Sequence, residues 1–485
     1  MNTNLTLAQK DYAHFLPAIS GFYATFIGKQ RREEYVDPAR IPNHIGTMEG
    51  MNWLNKQKGL FQYKWSLYSA GHADLDVTKD SPKEDMIRDR DRDNTWLLGD
   101  SGGFQIAKGI WEGDWKDVNC PKASKKRVLV VDWMEEYMDY GMMLDIPTFT
   151  ATDPKAAAAT GIFTHADAVN ATHINARYYL ANRRGNFKVL NVLQGANHAD
   201  ADDWYDQFKE YCDPKQYPSN HFDGWAMGGQ NMCDIHLALK RIIALRFDGL
   251  LEKGLHDVMH FLGTSKLEWA ALLTDVQRAV RKYHNENFMI TFDCASPFLA
   301  TANGQIYCST ELPDRKKWVY RMTPGIDDKT LHTDTTPYGD AFVREGCYHT
   351  FENSPISNGL TAADICAYGP TDTNKNGKIG KTSWDSFSYM LQMGHNVWTH
   401  LNAVQEANRQ YDAGIIPAML IREVFDQTAF RDVVNDIFAT DDKDKADMIN
   451  DDYQRYLDSI IGTRGYTGKK LTNSTTYFNK LFDVA

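Results

Sequence analysis

The sequence predicts an α/β protein, a (β/α)8 TIM barrel that carries an inserted subdomain and a helical C-terminal extension. Three observations point there. Eight short apolar runs stop at polar residues or glycine, and each is followed by a longer stretch with helical patterning. The runs recur at about 30 to 50 residues, the length of chain that a strand, a crossover helix and two loops consume. The polar residues able to do chemistry sit at the ends of those runs, where a barrel of this kind keeps its active site.

In chain order the runs are Phe15 to Ile19, Trp65 to Ser69, Trp96 to Gly99, Met142 to Leu144, Phe187 to Leu193, Gly224 to Met227, Val258 to Leu262 and Phe288 to Phe292. The last six end at or just before Asp100, Asp145, Gln194, Gly228, Gly263 and Asp293. A doubly wound open sheet gives a similar rhythm, and the count of eight is what favours closure. The charged stretch Lys79 to Asp93 reads as a solvated loop or helix face. Residues 1–303 form the expected barrel core with insertions. The rhythm breaks beyond Asn303, so 304–400, which holds Cys308, Cys347 and Cys366, reads as an insert, and 401–485 as a helical C-terminal region.

Composition narrows the class. Of 485 residues, 42% are hydrophobic and 24% charged, enough to bury a sizeable core. No apolar run approaches the roughly 18 residues that span a bilayer, and Met1 to Lys10 lacks the basic-then-apolar order of a secretory signal. Seven scattered cysteines suit free thiols or metal ligands better than a disulfide framework. A cytoplasmic protein with no membrane partner is expected. The net charge of −11 stands against a broad basic face for nucleic acid, yet local clusters occur at Lys122 to Arg127, Arg183-Arg184 and Arg315 to Lys317.

Four constellations could carry chemistry. Asp100-Ser101-Gly102-Gly103-Phe104-Gln105 puts a carboxylate, a hydroxyl and two glycines at a strand end, where a planar ligand can approach the backbone. Alone it also reads as a turn with a capping Asp. Phe292-Asp293-Cys294-Ala295-Ser296-Pro297 ends another apolar run in a carboxylate able to act as nucleophile or base, or simply to cap a helix. Gln194-Gly195 and Gly224-Trp225-Ala226-Met227-Gly228-Gly229 add an amide and a second pair of glycines to the same rim, and each alone is an ordinary turn.

In this order the four motifs, with Asn303-Gly304-Gln305 after them, resemble the queuine/archaeosine tRNA-guanine transglycosylase superfamily over roughly residues 15 to 410. The resemblance implies a glycosyltransferase of the pentosyltransferase kind. Asp293 matches the family nucleophile, which attacks C1′ of the target guanosine to form a covalent glycosyl-enzyme intermediate. Asp100 matches the carboxylate that contacts the exchanged base and handles its proton, and Asp145 the one that grips the guanine edge. Ser101, Gly102, Phe104, Gln194, Gly228 and Gly229 match further base contacts. The chemistry agrees: a carboxylate accepts a guanine edge's paired N–H donors, Gln194 can address O6, and a carboxylate nucleophile splits one displacement into two.

One departure bears on the substrate. The tRNA-acting members carry arginines between Phe-Asp-Cys and Asn-Gly-Gln, whereas this chain has Ser296-Pro297-Phe298-Leu299-Ala300-Thr301-Ala302. Phe298 is expected to form an apolar lip that stacks on bases. With its long polar inserts, the chain looks like the DNA-guanine transglycosylase (DpdA) branch of phage and bacterial 7-deazaguanine DNA modification systems. The implied partners are DNA, with tRNA as the alternative, and a 7-deazaguanine base such as 7-cyano-7-deazaguanine; a homodimer is left open. A non-catalytic nucleic-acid-binding barrel and a nucleoside glycosidase are the other readings.

The superfamily also implies a structural Zn2+, normally on three cysteines and a histidine, which makes the insert a zinc-binding-type subdomain. The usual Cys-x-Cys-x-x-Cys spacing is absent. The expected substitute is Cys347, His349, Cys366 and His395, a Cys2His2 set suited to tetrahedral zinc.

Overall fold

Eight parallel strands form one sheet in the order β1-β8-β7-β6-β5-β4-β3-β2, and the chain is a (β/α)8 barrel. The structure is a computed structural model that describes Leu5, Gly462 and residues 11–460 except 34, 313–317, 345–349, 374–376 and 423–427. The strands are β1 (His14–Pro17), β2 (Trp65–Ser69), β3 (Trp96–Asp100), β4 (Tyr140–Met142), β5 (Lys188–Leu193), β6 (Gly224–Met227), β7 (Val258–Phe261) and β8 (Met289–Cys294). Seven neighbouring pairs are joined by parallel ladders. Between β1 and β2 the closure rests on the bridge Ala18↔Leu67 and the bond from Ile19 N to Leu67 O, 2.9 Å.

Helices cover the barrel because the connecting segments bury one apolar side against strands already buried on their inner face. Their starts are written locally. Thr164 and Asp167 close a capping box on His165–Asn182, Asn197 caps His198–Phe208, Asp234 caps Ile235–Phe247, and Pro121 occupies the first turn of Pro121–Tyr137. Each of these starts lies at the strands' C-terminal face, so every cap also fixes a loop at the barrel mouth.

β4 ends two residues before the expected Leu144, because the chain leaves the sheet in a tight turn from Met143 O to Asp145 N, 2.8 Å. β8 runs past the expected Phe292 through Asp293 and Cys294, which pair with Leu16 and Pro17 of β1. After the barrel come an antiparallel hairpin, β9 (Gln305–Glu311) with β10 (Val319–Pro324), and a 27-residue helix, Ser386–Asp412, that runs through position 400 and packs on the barrel. Helices Phe430–Ala439, Lys443–Asp452 and Gln454–Leu457 follow and pack on the barrel's outer helices. Among the described residues no helix is long and apolar enough to cross a membrane.

Candidate active site

Three carboxylates stand at the C-terminal ends of β3, β4 and β8. Asp100 is the last residue of β3 and lies opposite Ser69, the last residue of β2. Ser69 Oγ donates to Asp100 Oδ2 over 2.6 Å, and the Gly102 amide reaches Oδ1 at 3.4 Å. Burial raises the Asp100 carboxyl above its ordinary pKa, the Ser69 and Gly102 donors oppose the rise, and the negative charge of Asp293 adds to it.

Asp145 sits in the turn after β4, 6% exposed. Burial pushes its carboxyl up to about 7, against the pull of the Gln194 amide, which donates through Nε2 to Oδ2 at 2.7 Å. The turn is braced from below. Arg127 Nε holds Asn175 Oδ1 at 2.7 Å, Asn175 Nδ2 holds the Leu144 carbonyl at 2.7 Å, and Thr172 Oγ1 accepts from the Ile146 amide at 2.9 Å.

Asp293 is fixed through one oxygen. Its Oδ1 accepts from the Gly263 amide at 2.9 Å and from His260 Nε2 at 3.2 Å, and His260 Nδ1 is 2.9 Å from Thr291 Oγ1. Among the described residues Oδ2 takes no hydrogen bond, which leaves one carboxylate oxygen with its lone pairs available at a barrel end. A carboxylate held in this way can attack an electrophilic carbon without first giving up a partner.

Glycine lines the rest of the rim for steric reasons. A Cβ on Gly103 would fall 2.6 Å from the Asp145 carbonyl oxygen, so only glycine lets the β3 loop press against the β4 turn. Gly229 has φ +53, and a Cβ there would meet the Gly195 carbonyl at 2.5 Å. Gly228 N bonds Leu193 O at 2.8 Å, which puts the β6 glycines against the Gln194 strand end. Ser101 is fully buried and its Oγ has no hydrogen-bond partner among the described residues, an arrangement that costs energy unless a ligand supplies the missing group. Phe104 follows in the short helix Gly103–Ala107, half-buried under Lys108, whose Nζ is 5.4 Å from the ring centroid.

The structure thus brings together Asp100, Ser101, Gly102, Asp145, Gln194, Gly228, Gly229 and Asp293 on one barrel face. It does not bring Phe298 there. Phe298 is 2% exposed and packs edge-on to Tyr23 at 5.6 Å and against Trp53 at 6.4 Å, because the turn begun at Pro297 directs it into the core. The lip beside Ser296 is instead a cavity of about 810 Å3 walled by Leu299, Tyr307, Trp318 and Tyr320, which none of the three carboxylates lines.

Of the expected zinc ligands, Cys347 and His349 lie outside the described residues. His395 is buried with Nε2 bonded to the Tyr307 carbonyl at 2.7 Å and Nδ1 3.0 Å from Ser354 Oγ, and Cys366 Sγ contacts the Ile326 carbonyl at 3.6 Å. Because a carbonyl only accepts, the His395 proton lies on Nε2 and its lone pair on Nδ1, where Ser354 Oγ is the neighbour.

The basic clusters separate by face. Arg183 and Arg184 precede β5, opposite the mouth, and pair with Asp223 at 2.6 Å and Asp132 at 2.9 Å. Lys122 to Arg127 open the helix after β3 on the mouth side; Lys125 is exposed, and Lys126 lies over the Trp111 ring at 4.5 Å. Arg315 to Lys317 fall outside the described residues. His260 is the contact that the sequence did not announce: it is a lone histidine in the apolar run Val258 to Phe261. No protein-family model matches this chain, and no curated protein matches it.

Proposed function

We propose that the protein is a guanine transglycosylase acting on DNA, which exchanges guanine for a 7-deazaguanine through a glycosyl-Asp293 intermediate. The observation that carries this reading is the division of labour among three carboxylates on one barrel face. Asp293 is anchored by Gly263 and His260 through Oδ1. Asp100 and Asp145 are buried, and burial raises both carboxyls, Asp145 to about 7, which favours their holding a proton.

In the first half-reaction Asp293 Oδ2 bonds to C1′ as the C1′–N9 bond breaks. The electron pair leaves on guanine, and Asp100 gives the departing base its proton. In the second half the incoming base loses its N9 proton to Asp100, its N9 attacks C1′, and the Asp293 ester bond breaks. Asp145, oriented by Gln194, accepts the base's N–H donors, and Ser101 Oγ supplies a further polar contact. The target nucleotide has to leave its stack to reach the mouth. The run Ser296 to Ala302 has no arginine, and the aromatic cavity beside it suits stacking on neighbouring bases rather than reading a tRNA loop.

The test presents labelled 7-deazaguanine with plasmid DNA and bulk tRNA side by side, using the native protein and Asp293→Ala. Incorporation into DNA that vanishes in the variant is expected. Label entering tRNA alone would give the tRNA-guanine transglycosylase reading, and label incorporated by Asp293→Ala would overturn the mechanism.

A further inference from the structure

A second cluster of polar side chains lies on the mouth side, on the far side of the Gly228-Gly229 rim from Asp145. Asp234 caps the helix Ile235–Phe247 there. Its Oδ2 takes His198 Nε2 at 2.8 Å and Gln230 Nε2 at 3.1 Å, while Oδ1 takes only the Leu237 amide at 3.1 Å. Oδ1 is therefore the oxygen with capacity left.

In the first turn of that helix His236 is 5% exposed. Its Nε2 lies 3.0 Å from Asp451 Oδ1 on the helix Lys443–Asp452. A carboxylate can only accept, so the proton belongs on Nε2 and the lone pair on Nδ1. That Nδ1 is buried and has no hydrogen-bond partner among the described residues. Asp458, just beyond the helix Gln454–Leu457, completes the group: one ligand atom from each of Asp234, His236 and Asp458 lies within 4.8 Å of the other two.

We propose that Asp234, His236 and Asp458 bind a first-row divalent cation, with Zn2+ the best match. One imidazole and two carboxylates, with water in the fourth position, meet the tetrahedral preference of zinc, and the imidazole disfavours Mg2+ and Ca2+. Asp451 then has the role of the outer carboxylate that fixes the tautomer and orientation of a ligating histidine. The cation gives the buried Nδ1 lone pair its missing partner. It also ties the C-terminal helices to Gln230, whose backbone N–H donates to Gly195 O at 2.9 Å beside the base pocket. This site shares no residue with the Cys347, His349, Cys366 and His395 set, and it does not depend on the transglycosylase reading.

The experiment strips the full chain with a chelator and titrates it with ZnCl2 by calorimetry, with MgCl2 as control, and follows thermal unfolding in parallel. About one equivalent of Zn2+ should bind with a rise in unfolding midpoint, and Mg2+ should produce neither. His236→Gln should abolish that equivalent. Asp458→Asn, a change at the half-buried C-terminal end that leaves the barrel core untouched, should weaken it at least tenfold, and Asp451→Asn should cost about 10- to 100-fold in affinity. Circular dichroism confirms that each variant is folded. The proposal is overturned if the wild type binds no zinc, or if folded His236→Gln and Asp458→Asn bind as tightly as wild type. It is equally overturned if Cys366→Ser alone removes the equivalent.

Discussion

Ser69 and Asp100 end adjacent strands in register, and the Ser69 hydroxyl donates to Asp100 Oδ2 over 2.6 Å. That bond favours the charged carboxylate and works against the burial that raises its pKa. In Ser69→Ala the largest opposing donor is lost and the weaker Gly102 amide remains, so the pH-rate limb set by Asp100 should move upward. A hydrogen bond to a charged group is worth about 1.5–3 kcal/mol, equivalent to about one to two pH units. A pH profile of base exchange reads this directly, and an unmoved limb would remove Asp100 from proton handling.

Asp145 carries a pKa raised to about 7 from an ordinary 3.8. Between those values the folded state holds a proton that the unfolded chain has released, so stability falls as pH rises from about 4 to 7, at about 1.4 kcal/mol per unit of displacement. Asp145→Asn should be more stable than wild type at pH 8 and equal to it near pH 4, and should lose guanine binding. Urea titrations at the two pH values check the first claim, and calorimetry with free guanine the second.

Guanine binding itself should weaken as pH drops through about 7. The N–H donors of a purine edge favour ionised Asp145, and below that pH the proton competes with them. Affinity should fall about tenfold per unit below the pKa, in a titration of the wild type over pH 5 to 8.5.

Gly103→Ala would place a methyl 2.6 Å from the Asp145 carbonyl. Relief has to come from shifting the β3 loop away from the β4 turn, at a cost of about 1–3 kcal/mol. Thermal unfolding should show that loss, and exchange activity should fall more steeply than stability because Asp100 and Asp145 separate.

Lys125 and Lys126 sit at the mouth end of their helix, clear of the paired Arg183 and Arg184. In Lys125→Ala/Lys126→Ala the slope of log K against log salt for duplex binding should flatten by about 0.9 for each phosphate that is no longer neutralised. The same double change on Arg183 and Arg184 should leave the slope in place.

Strand ends were legible because an apolar run that stops at Asp or Gln marks both the edge of the core and the start of the mouth. Asp100, Gln194 and Asp293 could be placed from that pattern alone. His260 could not: within Val258 to Phe261 it reads as core, and only the register His260↔Thr291 sets its ring beneath Asp293. Phe298 failed for the converse reason, since an aromatic next to a motif gives no sign of which side of a helical turn meets Tyr23 and Trp53. His395 kept its place on a long helix, but local order could not reveal that Tyr307 and Ser354 take its two nitrogens.

The barrel's thinnest junction lies between β1 and β2, and it divides the chemistry. Asp293 is stitched to β1 through Leu16, and Asp100 to β2 through Ser69. Among the described residues the one backbone bridge between those strands is Ala18↔Leu67, beside the stacked rings of His14 and Trp65. Asp293 and Asp100 therefore lie on either side of that single bridge. Parting these two strands would break one backbone bridge, whereas parting any other neighbouring pair would break a ladder.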